Sequence, residues 1–288
     1  MQYTGKVKLP EGKKIAVSLG LDFDAQALWN YGDCTSPAFM SRGEFGAEVA
    51  APRLLDLYDK YNIKITWYIP GHTADTFPDI CKEIVKRGHE VAFHGYCHET
   101  PLDLTLDEER KTFEMGLAAL ERIGVKNPKV YRSPDWDFSP NTPQLLKEFG
   151  FKYDSSLMGN DFYPYYPRPV ECHNDGPNIF GEPSDILELP VSWFLDDFPQ
   201  VEYVWKPFDQ EGMKPAKDIY DRWTAMFDYA RELGGACYFL CNHPQCTGRA
   251  YMLQMYEELI LYFMEHDAWF ATASEVGDAV VPDYPMNR

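Results

Sequence analysis

The stretch Ile15-Ala16-Val17-Ser18-Leu19-Gly20-Leu21 is a short, largely apolar run, and Asp22-Phe23-Asp24 follows it at once. A run of this length with turn residues after it reads as a strand covered on both faces. Seven similar runs lie downstream: 64–69 (KITWYI), 90–93 (EVAF), 129–132 (KVYR), 151–154 (FKYD), 186–189 (ILEL), 236–240 (ACYFL) and 268–272 (AWFAT). Helical patterns fill most gaps, over 44–61, 79–86, 106–123, 142–149, 218–233 and 251–265. Gly88, Gly124, Gly150 and Gly234 serve as C-terminal stops, and Thr105 as an N-cap ahead of an acidic first turn. Alternation of strand and helix implies parallel strands with crossover helices. Eight repeats in 288 residues predict an α/β fold, a single distorted (β/α) barrel forming one domain over 1–288. An open doubly wound sheet is the alternative. Two irregular stretches, about 155–185 and 193–212, break the rhythm; loops of that length usually cover an active site or build a subunit contact.

Bulk properties narrow the partners. The net charge is −18 and the sequence pI about 4.7. A surface this acidic repels phosphate backbones and anionic membranes, so neither is an expected partner. The seven cysteines are odd in number and lack zinc-finger spacing, which fits free thiols in a reducing compartment. Residues 1–14 contain no apolar signal-peptide core, and no segment approaches the ~18 apolar residues of a membrane span. A cytoplasmic location is expected.

Four motifs carry chemistry. Asp22 and Asp24 are two apart, so on extended chain they share a face. His94-Gly95-Tyr96-Cys97-His98 sets two imidazoles at i, i+4, a spacing that suits one metal ion on a helical turn. Two nitrogens and one oxygen, with a position left for water, make the donor set of a catalytic zinc site. Arg132, in Arg132-Ser133-Pro134-Asp135-Trp136, can hold a carboxylate by a bidentate pair. His243 ends the seventh run. Each motif alone has a blander explanation as a cap, a surface ion pair or a structural histidine. Together, Asp22, Asp24, His94, His98, Arg132 and His243 all fall at C-terminal ends of expected strands, the face where barrel enzymes build active sites. His72 follows the second run on that same face and is a candidate substrate contact. His89 opens a strand and reads as structural, His266 as a helix-end residue, and Cys97 as facing away from the metal.

The set Asp-x-Asp, HGYCH, RSPDW and a late Leu-x-x-His resembles the polysaccharide deacetylase family, carbohydrate esterase family four, over roughly residues 15–276. GLDFDA, TWYIPGHTADTFP, FKYDSSLMGNDFYPYY and NHPQCTGR resemble its intracellular branch, which includes peptidoglycan deacetylase-like proteins and cyclic imide hydrolases. The resemblance implies that Asp24, His94 and His98 hold Zn²⁺ or another divalent transition metal, that Asp22 is the general base oriented by Arg132, and that His243 is the general acid with Leu240 as the apolar neighbour. Asp135 and Trp136 would approach the substrate, a backbone N–H near them supporting the oxyanion. The family's aspartates are usually adjacent, whereas Phe23 separates them here, so the order of roles within the pair stays open. Asp135 stands where an aromatic or glycine is usual, which weakens the case for a polysaccharide groove. Three functions follow: N-deacetylation of an amino sugar, hydrolysis of a small cyclic amide or imide, or ligand binding without turnover. The branch also implies a homo-oligomer, a tetramer, with Tyr163 to Tyr166 and Trp205 as contact candidates.

Overall fold

A computed structural model describes residues 3–206 and 209–282. Residues 1, 2, 207, 208 and 283–288 lie outside the described residues, although the one-domain reading of 1–288 and the irregular stretch 193–212 extend over them. The strands are β1 (Tyr3–Val7), β2 (Ile15–Asp22), β3 (Thr66–Ile69), β4 (Glu90–Phe93), β5 (Val130–Tyr131), β6 (Tyr153–Asp154), β7 (Tyr165–Tyr166), β8 (Val170–Glu171), β9 (Ile179–Phe180), β10 (Leu187–Glu188), β11 (Cys237–Asn242), β12 (Ala268–Phe270) and β13 (Val280–Pro282). The eight runs expected from the sequence correspond to β2, β3, β4, β5, β6, β10, β11 and β12.

The sheet runs β11-β2-β3-β4-β5-β6-β10-β7-β1-β13. It is parallel from β11 to β10 and antiparallel from β10 through β7 and β1 to β13. All eight residues of β2 are buried, as a strand covered on both faces requires. β11 occupies one edge of β2 over six residues. The other edge is shared, β12 pairing with Ile15–Val17 and β3 with Gly20–Asp22. The sheet curls into the expected distorted barrel, but its hydrogen-bond ladder does not close strand to strand. Irregular chain patches the seam beside β11. The Cys237 N–H donates to the Phe162 carbonyl (2.8 Å), and Asp196 bridges to Cys241.

Local sequence rules place most helices. Leu106–Arg122 starts with a full capping box between Thr105 and Glu108. Gly88 (φ +78) and Gly124 (φ +97) take the positive φ that a helix stop needs. The single helix expected over 44–61 is corrected. It is a helix Pro37–Phe45, a π-helical turn Gly46–Ala50 and a helix Ala51–Tyr61. Pro52 has no N–H for the regular ladder, which favours the wider turn. The turn packs against Pro244–Thr247, the short helix after His243; a Cβ on Gly248 would meet Ala50. Residues 3–7, where the sequence reading placed no strand, form β1, paired with β7 and β13. Tyr165, a contact candidate, is buried, whereas Trp205 is 61% exposed. No described helix is long and apolar enough to cross a membrane.

Candidate active site

Asp22 ends β2, Asp24 lies two residues on, His94 follows β4, Arg132 follows β5 and His243 follows β11. The parallel register therefore delivers all of them to one rim of the barrel. Asp24 is fully buried, and neither of its oxygens has a hydrogen-bond partner. Around it stand His94 Nε2 at 3.4 Å, His243 Nε2 at 3.6 Å and His98 Nε2 at 3.8 Å. A buried carboxylate without donors costs several kcal/mol unless a cation faces it. One ligand atom each from Asp24, His94 and His98 lies within 4.8 Å of the others. One oxygen and two nitrogens in that arrangement fit a divalent transition ion.

The ring of His94 is fixed from behind. Its Nδ1 donates to the Arg132 carbonyl (2.8 Å), which leaves the Nε2 lone pair toward Asp24. Burial lowers the pKa of His94 against the opposing pull of Asp22 and Asp24, so the ring is held in its neutral, ligating form. HGYCH is not the helical turn that its spacing suggested. It is an irregular bend with Gly95 at φ +71 and His98 at φ +62. Glu99 shapes it by accepting the N–H groups of Tyr96 (3.1 Å) and Cys97 (2.8 Å). Positive φ at a non-glycine ligand is strain of the kind that clusters at functional sites. The Cys97 thiol points at the Ala27 carbonyl.

Asp22 sits beside this group in a different state of repair. Its Oδ1 accepts from Arg132 Nη1 at 2.5 Å, and its Oδ2 accepts from the Cys241 thiol at 3.3 Å. Burial raises its pKa, but Arg132, His94 and His243 outweigh that and bring it to about 2. Asp22 is thus ionised and aimed, while Asp24 is left for a cation. Arg132 is itself buried and clamped. Its Nε donates to the Ser155 carbonyl (2.9 Å), its Nη2 to Ser155 Oγ (3.0 Å), and its guanidinium lies 3.6 Å from the Tyr68 ring centroid. Gly20 makes the room: a Cβ there would lie 3.1 Å from Tyr68 and 3.3 Å from Arg132.

His243 is oriented by a residue that sequence reasoning missed. Its Nδ1 donates to Asp197 Oδ1 (2.8 Å), and Thr247 Oγ1 donates to Asp197 Oδ2 (2.6 Å). Asp196 lies 3.6 Å from the same Nδ1. Burial lowers the pKa of His243, but Asp196, Asp197 and Asp24 overcome it and lift it to about 10. The imidazole is therefore charged and able to give up a proton. The one sequence signal for this pair was two adjacent acids inside an irregular stretch.

A cavity of about 50 Å³ opens over these groups. Asp135, Trp136, Trp193, Phe198, Leu28 and Asp196 complete its wall. Trp136 and Trp193 stack at 4.4 Å, and Asp135 and Trp136 have φ +55 and +53. The Trp136 N–H already donates to the Ser133 carbonyl (3.1 Å), which leaves the Asp135 amide as the oxyanion candidate. Two expected substrate contacts lie elsewhere. His72 is engaged with Asn30 (3.1 Å) and Thr76 (3.4 Å), and Leu240 is buried within β11; neither lines the cavity.

Residues 43–153 match the sequence family described as Polysaccharide deacetylase. A peptidoglycan deacetylase of Helicobacter pylori is 37% identical over 96% of this chain and 99% of its own length. A Mycobacterium smegmatis protein assigned to the polysaccharide deacetylases shares 33% identity at a TM-score of 0.84, covering 96% of this chain and 94% of that one. The Puue allantoinase has the same fold at 21% identity and a TM-score of 0.75, over 94% and 91% of the two chains. The orphaned Asp24, the clamped Asp22 and the charged His243 thus sit on the barrel rim of a chain that belongs to the polysaccharide deacetylase family.

Proposed function

We propose that this protein is a zinc-dependent hydrolase of C–N amide bonds acting on a small molecule. The observation that carries the reading is the contrast around one cavity: Asp24 has no donors, and Asp22 and His243 flank it already held by Arg132 and Asp197. Asp24, His94 and His98 would hold the ion, which supplies Lewis acidity and lowers the pKa of a bound water to about 7. Asp22 accepts the proton of the attacking water at Oδ2. His243, charged, returns a proton to the departing nitrogen from Nε2. The Asp135 amide supports the oxyanion.

The size of the cavity supports a small substrate. About 50 Å³ is far below the roughly 300–1,000 Å³ of ordinary ligand pockets. The stacked Trp136 and Trp193 form part of its wall. A second reading, deacetylation of an N-acetylated amino sugar, is favoured by the similarity to the Helicobacter pylori peptidoglycan deacetylase. The reading includes a homotetramer, for which exposed Phe194 and Trp205 offer contact surface and which light scattering checks, and a cytoplasmic location, which cell fractionation checks.

The test is turnover by zinc-loaded protein on cyclic amides, imides and ureides, set against N-acetylglucosamine oligomers. Ring opening that a chelator abolishes and zinc restores is the expected result. Acetate release from the oligomers alone would move the assignment to the amino sugar. Zinc binding without turnover on either class would leave a ligand-binding protein.

A further inference from the structure

β6 and β10 are neighbouring parallel strands, and their register sets Glu188 directly opposite Asp154. Both side chains are buried, Asp154 1% exposed and Glu188 not at all. Asp154 Oδ1 accepts from Ser156 Oγ (2.7 Å). Glu188 Oε1 accepts from the Ser156 and Leu157 N–H groups (2.8 and 2.9 Å). That leaves one buried oxygen on each, Asp154 Oδ2 and Glu188 Oε2, with no donor, on residues that the strand register sets side by side. Two buried carboxyl groups side by side, each with an oxygen that no donor reaches, are satisfied by holding one proton between them.

The bonds these acids make lead to the candidate active site. Ser156 Oγ accepts the Ser133 N–H (2.8 Å), and Ser155 supplies both acceptors that clamp Arg132. Arg132 holds Asp22. The path is covalent or hydrogen-bonded at every link and contains no metal ligand.

We propose that Asp154 and Glu188 share one proton and act together as a positioning pair that fixes the Ser155–Ser156 turn, and through it Arg132 and Asp22. The catalytic part rests on the reading of Asp22 as base. Glu188 carries the proton, since burial beside Asp154 holds its pKa well above the usual range against the two amides that Oε1 accepts, and Oε2 is the oxygen left to bear it. Asp154 is the accepting carboxylate, its pKa raised by burial and partly offset by the Glu188 carboxyl, by Ser156 and the Ser155 N–H, and last by Arg132. The other titratable groups facing the pair are the phenols of Tyr165 on β7 and Tyr131 on β5. Loss of the shared proton leaves two like charges in contact, which forces the turn to move. The pair thereby sets an alkaline limit on activity.

Glu188→Gln preserves the geometry, its amide donating to Asp154 and its carbonyl accepting from the turn. Glu188→Ala removes both. The Ala protein should lose about 10–100-fold in kcat with KM and zinc content unchanged, and the Gln protein should restore it at neutral pH with a more alkaline limit than wild type. The proton itself is read without turnover. A carboxyl whose folded pKa lies above its unfolded value of 4.5 loses stability as pH rises through that interval. Wild type should therefore fall behind Glu188→Gln in melting temperature as pH rises. Melting curves that keep a constant offset across that range overturn the shared proton. A Gln protein as impaired as Ala, or one with an unchanged alkaline limit, overturns the positioning role. Full turnover in Asp22→Asn breaks the catalytic link alone and leaves the melting comparison intact, which separates the two failures.

Discussion

β4 is four residues long, and a buried histidine stands at each end of it, His89 before and His94 after. Their burial is nearly equal, 6% and 1% exposed, yet the two rims give them opposite tasks. At the N-terminal rim, the Ile65 N–H just before β3 donates to His89 Nδ1 (3.2 Å). The ring is a fixed acceptor packed against the edges of Tyr58 and Trp67. At the C-terminal rim, the free backbone group is the Arg132 carbonyl just after β5, so His94 must donate with Nδ1 and present Nε2 as a lone pair. Burial alone does not make a ligand. The backbone group left over at the strand end decides which ring nitrogen remains free, and the neighbours decide what it meets: Asp24 for His94, and no hydrogen-bond partner for His89 Nε2.

The sharpest way to break this comparison is to remove the acid that His94 faces. Asp24→Asn should lower kcat/KM by at least ~10³-fold with loss of bound zinc, measured by turnover and elemental analysis. His89→Gln should leave zinc content unaltered.

Asp22→Asn and His243→Gln come next. Each should lower turnover by roughly 10²–10⁴-fold while zinc stays bound, separating the proton-handling residues from the ligands. Arg132→Met should destabilise the fold by about 3–5 kcal/mol in urea melts, because Asp22 is left buried without its partner.

The smallest effect belongs to the lower rim. Burial and the cations Lys64 and Arg87 bring the His89 pKa from 6.5 to about 4. Below pH 6.5 the unfolded chain takes up a proton that the folded protein refuses. The contribution is complete above that pH and is lost as pH falls toward 4. Urea midpoints between those values should decline in wild type and less steeply in His89→Gln.

Much of this was legible in the residues. The histidine at the start of a strand was separable from the one at its end, because strand direction fixes the rim and strand direction follows from the strand–helix alternation. The helix stops and the Thr105 cap were legible for the same reason, since they depend on residues within one turn. What stayed hidden involves partners far apart in the chain. Asp197 orients His243 across 46 positions, and Glu188 meets Asp154 only through the pairing of β10 with β6. The conformation of HGYCH was also misjudged, because an i, i+4 spacing suits a helix whereas the bend is held by Glu99 and by Gly95 in the left-handed region.

By itself, then, the sequence determined the eight strands, most of the helices between them and the rim on which its acids and histidines gather, since each is set by short-range periodicity and turn chemistry. Only the tertiary structure decided that Asp22 is clamped while Asp24 is left without donors. That distinction depends on how a curled sheet brings Arg132 and Cys241 to one carboxylate and three imidazoles to the other. Hydrogen-bond partners are assigned by space, and space is assigned by closure of the barrel.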